Sequence, residues 1–168
     1  MAGMAAQLGA DVPFFLLEAP FALGKSRGDM CQPLAAPSVE LAHVLVIPKA
    51  RLSTKEVFST AEFDLTAPKP SSTMVAHALR NGPDLSGLAK GMWNDLEPEA
   101  IRRCPVIHAL HSGLRNAGCL GTLMSGSGPT VFGLCHDAAH ATQVAHRMCA
   151  NGSPEWQVRV VRTFNGSL

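Results

Sequence analysis

The chain has 168 residues, enough for one hydrophobic core and part of a second, and it is 46% hydrophobic and 16% charged. Its formal net charge is +1, no basic run exceeds two residues and tyrosine is absent, so neither a basic nucleic-acid-binding surface nor a base-stacking platform is expected. The longest apolar runs, 12–17 and 44–48, are far shorter than a membrane span. We therefore expect no nucleic-acid partner and no membrane partner.

Two features of the sequence indicate the cellular compartment: the composition of its first residues and the spacing of its cysteines. Residues 1–7 have no basic segment and no long apolar segment, so the sequence predicts no signal peptide. None of the five cysteines has C-x-x-C spacing, which disfavours both a zinc site and a disulfide framework. A cytoplasmic protein is expected.

The first third of the chain predicts little regular structure before one buried strand. Residues 2–9 have the pattern of the end of a helix that stops at Gly9. Because Val12 precedes Pro13, an extended backbone leading into a short strand at 14–17 is expected. Residues 18–38, rich in glycine and proline, predict a loop with a little strand, and 41–47 predicts a buried strand.

The middle of the chain predicts short helices separated by linkers. Ser53 and Glu56 have the spacing of a capping box, which predicts a helix from there to about residue 63. Residues 64–72 are rich in proline and serine and predict a linker. Two short helices are expected on either side of 81–83, where Asn-Gly-Pro interrupts the helical pattern.

The last third of the chain has the clearest periodicity. Pro105 and Gly118 bracket a predicted helix whose apolar face contains Ile107, Leu110 and Leu114. Four further elements follow: strands near 119–124 and 130–135, a helix at 137–150 and a strand at 157–164. The order of the elements predicts an α+β fold in which helices cover one sheet.

Asp11 is the first candidate functional residue. It follows a glycine, and an aspartate in such a turn commonly bonds only to nearby backbone. Pro13 and the two phenylalanines after it hold Asp11 on rigid backbone beside an apolar wall. A carboxylate there can accept or orient the proton of an attacking hydroxyl. Both interpretations remain open.

A glycine-rich loop, Ser125, Gly126, Ser127 and Gly128, lies between the two strands predicted near 119–124 and 130–135. Two glycines at this spacing let backbone N–H groups approach an anion closely. The same composition also suits a tight hairpin connection. The loop has neither the lysine of a P-loop nor the third glycine of a dinucleotide fingerprint.

Thr54 and Phe58 are one helical turn apart, so the sequence places them on the same helix face. A hydroxyl and an aromatic ring side by side can hold the polar edge and the flat face of a ligand base. Periodicity alone favours the other interpretation, in which Phe58 is an ordinary core residue.

The histidines pair at helical spacing, His136 with His140 and His108 with His111. Both pairs fall on the polar faces of their predicted helices, and the sequence supplies no carboxylate to complete either one. We therefore expect solvated faces and assign no metal site.

Four segments in this order resemble the GHMP kinase superfamily, and within it the family of 4-diphosphocytidyl-2-C-methyl-D-erythritol kinases: residues 8–16, 52–58, 94–97 and 124–132. The resemblance covers nearly the whole chain. It implies ATP-dependent phosphorylation of the 2-hydroxyl of a polyol linked to cytidine diphosphate, in the non-mevalonate pathway of isoprenoid biosynthesis.

The resemblance also implies a role for each candidate. Asp11 corresponds to the catalytic aspartate, Thr54 and Phe58 correspond to substrate contacts with the ring of Phe58 against the cytosine, and 125–128 corresponds to the loop near the phosphates. ATP is the implied nucleotide, with Mg²⁺ brought by the nucleotide rather than held at a metal site of the protein.

The same resemblance implies a ferredoxin-like C-terminal domain at 38–168, preceded at 1–37 by a remnant of the N-terminal domain that carries Asp11. The family's nucleotide-binding glycine loop has no counterpart in the sequence, so the expected partner is the missing N-terminal half and the isolated chain is expected to be inactive. Two alternatives remain: another GHMP kinase acting on homoserine or mevalonate, and a non-catalytic fragment that only binds a partner.

Overall fold

The structure is a computed structural model that describes residues 9, 11–25, 30–34, 40–62, 68–80 and 84–163. The strands are β1 (Ala22–Lys25), β2 (Met30–Pro33), β3 (Ala42–Ile47), β4 (Gly121–Met124), β5 (Val131–Cys135) and β6 (Gln157–Arg162). The helices are α1 (Val12–Phe15), α2 (Thr54–Thr60), α3 (Ser72–Arg80), α4 (Leu85–Gly91), α5 (Glu97–Arg103), α6 (Val106–Asn116) and α7 (Ala138–Asn151). None of these described helices is long and apolar enough to span a lipid bilayer.

Four strands form one antiparallel sheet in the order β4-β5-β3-β6, while β1 and β2 pair as a separate hairpin. The central strand β3 pairs with β5 through Val46 and Val131 and with β6 through Val46 and Val158. Helices connect β3 to β4 and β5 to β6, which gives the β-α-β-β-α-β arrangement of a ferredoxin-like fold. The predicted α+β, ferredoxin-like class is confirmed.

The main core lies between one face of this sheet and helices α6 and α7. Side chains alternate along β3, so Val44 and Val46 share a face and both are fully buried. They join the predicted apolar faces of the two helices in one core cluster, whose helical members include Ile107, Leu110, Leu114, Ala141, Val144, Ala145 and Met148. The predicted apolar faces of both helices are confirmed.

The opposite face of the sheet lies against α3 and α4. A cavity of about 470 Å³ separates them, with Leu45 and Phe132 on the sheet side and Leu79 and Leu88 on the helix side. The two helices are the pair predicted on either side of 81–83, and they contact each other through a second, smaller apolar cluster.

The predicted strand at 14–17 is wrong, because residues 12–15 form the short helix α1. Pro13 stands in the first turn, where its fixed φ suits a helix and its missing N–H is not needed. The N–H of Leu16 donates to the carbonyl oxygen of Val12 at 3.3 Å, which closes the turn. The conformational bias of a residue before proline is overridden here by this local hydrogen bonding.

The little strand expected within the loop at 18–38 is the hairpin β1–β2. Two differences concern helices. Helix α2 ends at Thr60 rather than near 63, and helix α5 was not predicted although its first turn has a proline and two glutamates. The helix end predicted at 2–9 lies outside the described residues except for Gly9, and the division into 1–37 and 38–168 remains a prediction.

Truncation of a core residue tests the assignment of the core. We expect Leu110→Ala to lower the free energy of unfolding by about 2–5 kcal/mol, because Leu110 is fully buried and its loss leaves a cavity. Leu16→Ala, at a side chain that is 57% exposed, is the matched control and should change it by no more than about 0.5 kcal/mol. Urea denaturation followed by tryptophan fluorescence measures both, and equal losses would contradict this core.

Candidate functional site

The sheet register brings two of the predicted candidates together. β3 ends at Ile47 and leads into α2, while β5 begins at Val131, which pairs with Val46. Because the strands are antiparallel, the end of β3 and the start of β5 lie at the same edge of the sheet. The start of α2 therefore stands beside the loop 125–128, and the hydroxyls of Thr54 and Ser127 are hydrogen-bonded at 2.7 Å.

The loop 125–128 is a tight turn between antiparallel strands, as one of the two interpretations expected. The N–H of Ser125 donates to Thr130 O at 2.9 Å, and the N–H of Gly128 donates to Ser125 O at 3.0 Å. Gly126 has φ +57° and Gly128 has φ +86°, in the left-handed region that favours glycine. Within the described residues, the N–H groups of Gly126 and Ser127 donate no hydrogen bond, so the turn does not exclude anion binding.

Asn94 and Glu97 brace this loop from the segment that leads into α5. Asn94 Nδ2 donates to Met124 O at 2.9 Å and to Gly126 O at 2.7 Å. Glu97 Oε2 accepts from the N–H of Met124 at 2.8 Å. The segment 94–97 was singled out in the sequence, but no role was predicted for these two residues. Their partners are backbone atoms about thirty residues away, which no local pattern records.

Glu97 connects the loop to a buried histidine. Glu97 Oε2 lies 3.2 Å from His111 Nε2, close in distance but outside hydrogen-bond direction, and His111 Nδ1 bonds to the hydroxyl of Thr122 at 2.8 Å. Burial opposes the charged form of Glu97, but the proximity of His111 and the hydrogen bond from Met124 outweigh burial and lower the pKa of the Glu97 carboxyl.

The prediction of a solvated histidine face is wrong for His111, whose side chain is only 4% exposed. The polar face of α6 packs at this point against Thr122 of β4 and Glu97 of α5. His136 is exposed but lies before α7, and His140 is half-buried in the first turn of that helix, with its ring 5.1 Å from the ring of His136. In the part of the chain that the structure describes, no three His, Cys, Asp or Glu side chains are arranged to hold a metal ion.

Helix α2 is fixed at its start by its cap and underneath by one apolar side chain. Ser53 Oγ accepts from the N–H of Glu56 at 3.4 Å, which confirms the predicted N-cap. The carboxylate of Glu56 lies 3.4 Å from Arg103 Nη1 in α5. Val57 is the fully buried residue of this helix, and it anchors α2 to the core.

A second link joins the end of α2 to α5. The hydroxyl of Thr60 donates to the carboxylate of Glu99, which also accepts from Arg102 and Arg103 at 2.6–2.8 Å. Hydrogen bonds from Arg102, Thr60 and Arg103 stabilise the charged form and lower the pKa of Glu99 to about 2. The helix that carries Thr54 and Phe58 is thus attached to the same segment that braces the loop.

Phe58 is 56% exposed, so the interpretation of Phe58 as a core residue is wrong. Val57 takes the buried position instead, and Phe58 follows Thr54 by one turn on the same face of α2. An exposed aromatic ring beside a hydroxyl remains available to a planar ligand, and its substrate role stays a prediction.

Asp11 lies at the start of α1, exposed and without a side-chain capping hydrogen bond. Within the described part of the chain, the local backbone bonding considered for its side chain is therefore not made, although its carbonyl oxygen accepts from the N–H of Phe14 at 3.1 Å. Among the described residues, no hydrogen bond or ion pair joins Asp11 to Thr54 or to the loop. Its catalytic role stays a prediction.

Comparison with known proteins agrees with this fold. Residues 75–154 match the family model described as GHMP kinases C terminal. A solved structure of 4-(cytidine 5'-diphospho)-2C-methyl-D-erythritol kinase superposes with a TM-score of 0.76 at 31% identity, covering 96% of this chain and 56% of that one. Homoserine kinase from Cytophaga hutchinsonii superposes with a TM-score of 0.67 at 19% identity, covering 94% and 53%, which shows the fold alone.

The chain is therefore similar to the C-terminal part of GHMP kinases, and the family model matches it at residues 75–154. Over 98% of its length it is similar to the 4-diphosphocytidyl-2-C-methyl-D-erythritol kinase of Pelotomaculum thermopropionicum, with 39% identity over 165 residues. Those residues are 55% of the relative, so the chain spans about half the length of the curated relatives it matches. The resemblance stated from the four sequence segments is confirmed.

The network around Glu99 predicts a specific pH dependence of stability. The pKa of Glu99 in the folded chain, about 2, is below its ordinary value of 4.5. Its carboxylate therefore adds stability that is complete above about pH 4.5 and is lost as the pH falls toward 2. We expect Glu99→Gln to lower the melting temperature at pH 7, and the gap from wild type to close between pH 4.5 and 2.

Thermal melts from pH 7 to pH 2 measure this gap. Glu155→Gln is the matched control, because Glu155 is exposed and the same chemical change there should leave the melting temperature unaltered. A gap between wild type and Glu99→Gln that does not vary with pH would show that the carboxylate charge is not what stabilises the contact between α2 and α5.

Proposed function

We propose that this chain supplies the C-terminal part of a kinase that uses ATP to phosphorylate the 2-hydroxyl of 4-diphosphocytidyl-2-C-methyl-D-erythritol in non-mevalonate isoprenoid biosynthesis. The observation that carries the proposal is the 2.7 Å hydrogen bond between Thr54 and Ser127. It joins the helix expected to contact the substrate to the loop expected to contact the phosphates. The substrate is inferred from two relatives that are similar to this chain over 98% of its length. Both are named 4-diphosphocytidyl-2-C-methyl-D-erythritol kinase.

The loop 125–128 has the properties of a phosphate contact. Two of its N–H groups, those of Gly126 and Ser127, have no partner among the described residues. Backbone N–H groups in such a turn form charge-assisted hydrogen bonds to phosphate oxygens. ATP is a substrate that supplies the transferable phosphoryl group, and Mg²⁺ would enter with its phosphates.

Helix α2 has the properties of a substrate contact. The exposed ring of Phe58 offers a flat apolar face to the cytosine, and such stacking contributes about 1–3 kcal/mol in nucleic-acid recognition. The hydroxyl of Thr54 makes one hydrogen bond with Ser127 and keeps the capacity for another to a polar group of the substrate.

Asp11 is the proposed proton acceptor for the substrate hydroxyl. Its carboxylate is exposed and makes no capping hydrogen bond, so it is free to contact a hydroxyl brought by the substrate. The nucleotide cradle would come from the part of the kinase that lies outside the match to this chain. The chain alone is therefore expected not to turn over ATP.

Loss of the proposed base tests the function in a completed protein, made by fusing the chain to the portion of the Pelotomaculum relative that the match does not cover. This fusion should release ADP with 4-diphosphocytidyl-2-C-methyl-D-erythritol and not with homoserine. Asp11→Asn keeps the shape but removes the proton acceptor, so kcat should fall about 10²–10⁴-fold with little change in KM.

Asp137→Asn is the matched control for Asp11→Asn. Asp137 caps α7 through the N–H of His140, and asparagine caps a helix about as well as aspartate, so kcat should be retained. If both variants keep the wild-type kcat, the assignment of Asp11 is wrong. If the fusion acts equally well on homoserine, the substrate assignment is wrong.

Removal of the aromatic ring tests the substrate side separately. Phe58→Ala should raise KM for the cytidyl substrate by the equivalent of about 1–3 kcal/mol while KM for ATP stays nearly constant. Because Phe58 is exposed, the melting temperature should hardly change. If Phe58→Ala instead lowers the free energy of unfolding by about 3–5 kcal/mol and leaves the substrate KM unchanged, Phe58 is a core residue and its proposed contact with the substrate is wrong.

A further inference from the structure

We infer that Asn94 is a positioning residue: by holding the carbonyl oxygen of Gly126, it sets the direction of the neighbouring Ser127 N–H. The direction of the N–H is inferred from the hydrogen bonds of Asn94. That the N–H binds a phosphate oxygen rests on the proposed function.

The carboxamide of Asn94 is held by three hydrogen bonds. Both hydrogens of Nδ2 are used, at 2.9 Å to Met124 O and at 2.7 Å to Gly126 O. Oδ1 accepts from the N–H of Leu96 at 3.0 Å. Since both loop partners are carbonyl oxygens and the third is an N–H donor, only one orientation of the amide satisfies all three.

Peptide planarity carries this constraint to the next residue. In a trans peptide the C=O and the following N–H point in opposite directions, and among the described residues only the Gly128–Pro129 bond is cis. With Gly126 O turned toward Asn94, the N–H of Ser127 points away from Asn94. The same rule turns the N–H of Ser125 away from Asn94, and that N–H meets Thr130 O at 2.9 Å.

The peptide between Gly126 and Ser127 needs such a restraint. Gly126 has φ +57°, and no described atom lies within 4 Å of the place where a Cβ would stand. Apart from the adjacent residues of the loop, nothing therefore packs at that position to hold the peptide plane, and glycine adds little steric resistance of its own. The hydrogen bond from Asn94 supplies the restraint that packing does not.

Glu97 makes the restraint rigid. It holds the N–H of Met124 at 2.8 Å, next to the carbonyl that Asn94 holds. Asn94 lies in the segment just before α5 and Glu97 is the first residue of that helix, which is also bonded to α2 through Glu99. The segment that sets the direction of the Ser127 N–H is therefore the same one that fixes α2, the helix that carries Thr54.

Asn94→Asp tests the inference in the full 168-residue chain. The change keeps the shape but places a carboxylate oxygen against two carbonyl oxygens, so the Gly126 peptide should rotate. The primary measurement is the residual dipolar coupling of the Ser127 N–H, which reports bond direction without any ligand. We expect it to fit the structure in wild type and to depart from it in Asn94→Asp.

Asn151→Asp is the matched control, because Asn151 donates to a helix carbonyl in α7 at 3.1 Å and lies outside the loop. Its Ser127 coupling should equal that of wild type. If Asn94→Asp also keeps the wild-type coupling, the inference is overturned. If Asn94→Asp fails to fold, Asn94→Ala takes its place, since it removes the two donors without adding charge, and an unchanged coupling there overturns the inference equally.

Titration with inorganic tripolyphosphate at fixed ionic strength separates the inference from the proposed function. Wild type should show shifts at the amides of Gly126 and Ser127, with binding about tenfold weaker in Asn94→Asp, a difference of about 1.4 kcal/mol. Equal affinity in both, with the coupling changed, contradicts the functional part of the inference. An absence of shifts in wild type contradicts the phosphate role of the loop, and the dipolar coupling still decides the role of Asn94.

Discussion

The pairing of β3 with β5 is the constraint on which the rest of the structure depends. Its register sets Val46 opposite Val131, which keeps Val44 and Val46 on the face covered by α6 and α7. A slip of one residue would turn these buried side chains to the other face. It would also shift the loop 125–128 by about 3.3 Å relative to α2, enough to break the 2.7 Å contact between Thr54 and Ser127. Core burial and site geometry are therefore fixed by the same hydrogen-bonded pair.

The segment 94–103 adds a second level of control over the candidate site. Its first residues, Asn94 and Glu97, hold the backbone of the loop, and Glu99 and Arg103 hold the end of α2. The carboxylates of Glu97 and Glu99 have lowered pKa values, so both remain ionised acceptors at neutral pH. The two sides of the site are thus attached to one short helix, and a displacement of that helix would move both.

The elements predicted correctly are those whose burial pattern is periodic within one element. β3, α6 and α7 present apolar residues at the spacing of a strand or a helix, and the structure buries those residues. Residues 12–17 were assigned wrongly because proline before apolar residues suits either a strand entry or a first helical turn. Here the hydrogen bond from Leu16 to Val12 selects the helix. Periodicity predicted that Phe58 is buried, which is wrong because the adjacent Val57 occupies the core position.

The sequence identified most residues of the candidate site but not the contacts between them. Thr54 and the loop 125–128 were identified, but their contact depends on a pairing between strands that are distant in the chain. His111 was placed on a solvated face because its carboxylate neighbour, Glu97, belongs to another helix. Asn94 acts on backbone oxygens of the loop, and backbone partners leave no pattern of side chains in the sequence. Asp11 lies on a separate short helix, and no described hydrogen bond or ion pair ties it to Thr54 or the loop.

The central claim, that the loop 125–128 is a phosphate contact beside the substrate helix, is tested most directly by a crystal structure. The fusion described above would be crystallised with a non-hydrolysable ATP analogue and the cytidyl substrate. The account predicts a phosphate oxygen at about 2.7–3.2 Å from the backbone nitrogen of Ser127, with the cytosine stacked on Phe58. Phosphates bound beyond hydrogen-bond distance of every N–H in 125–128 would contradict it.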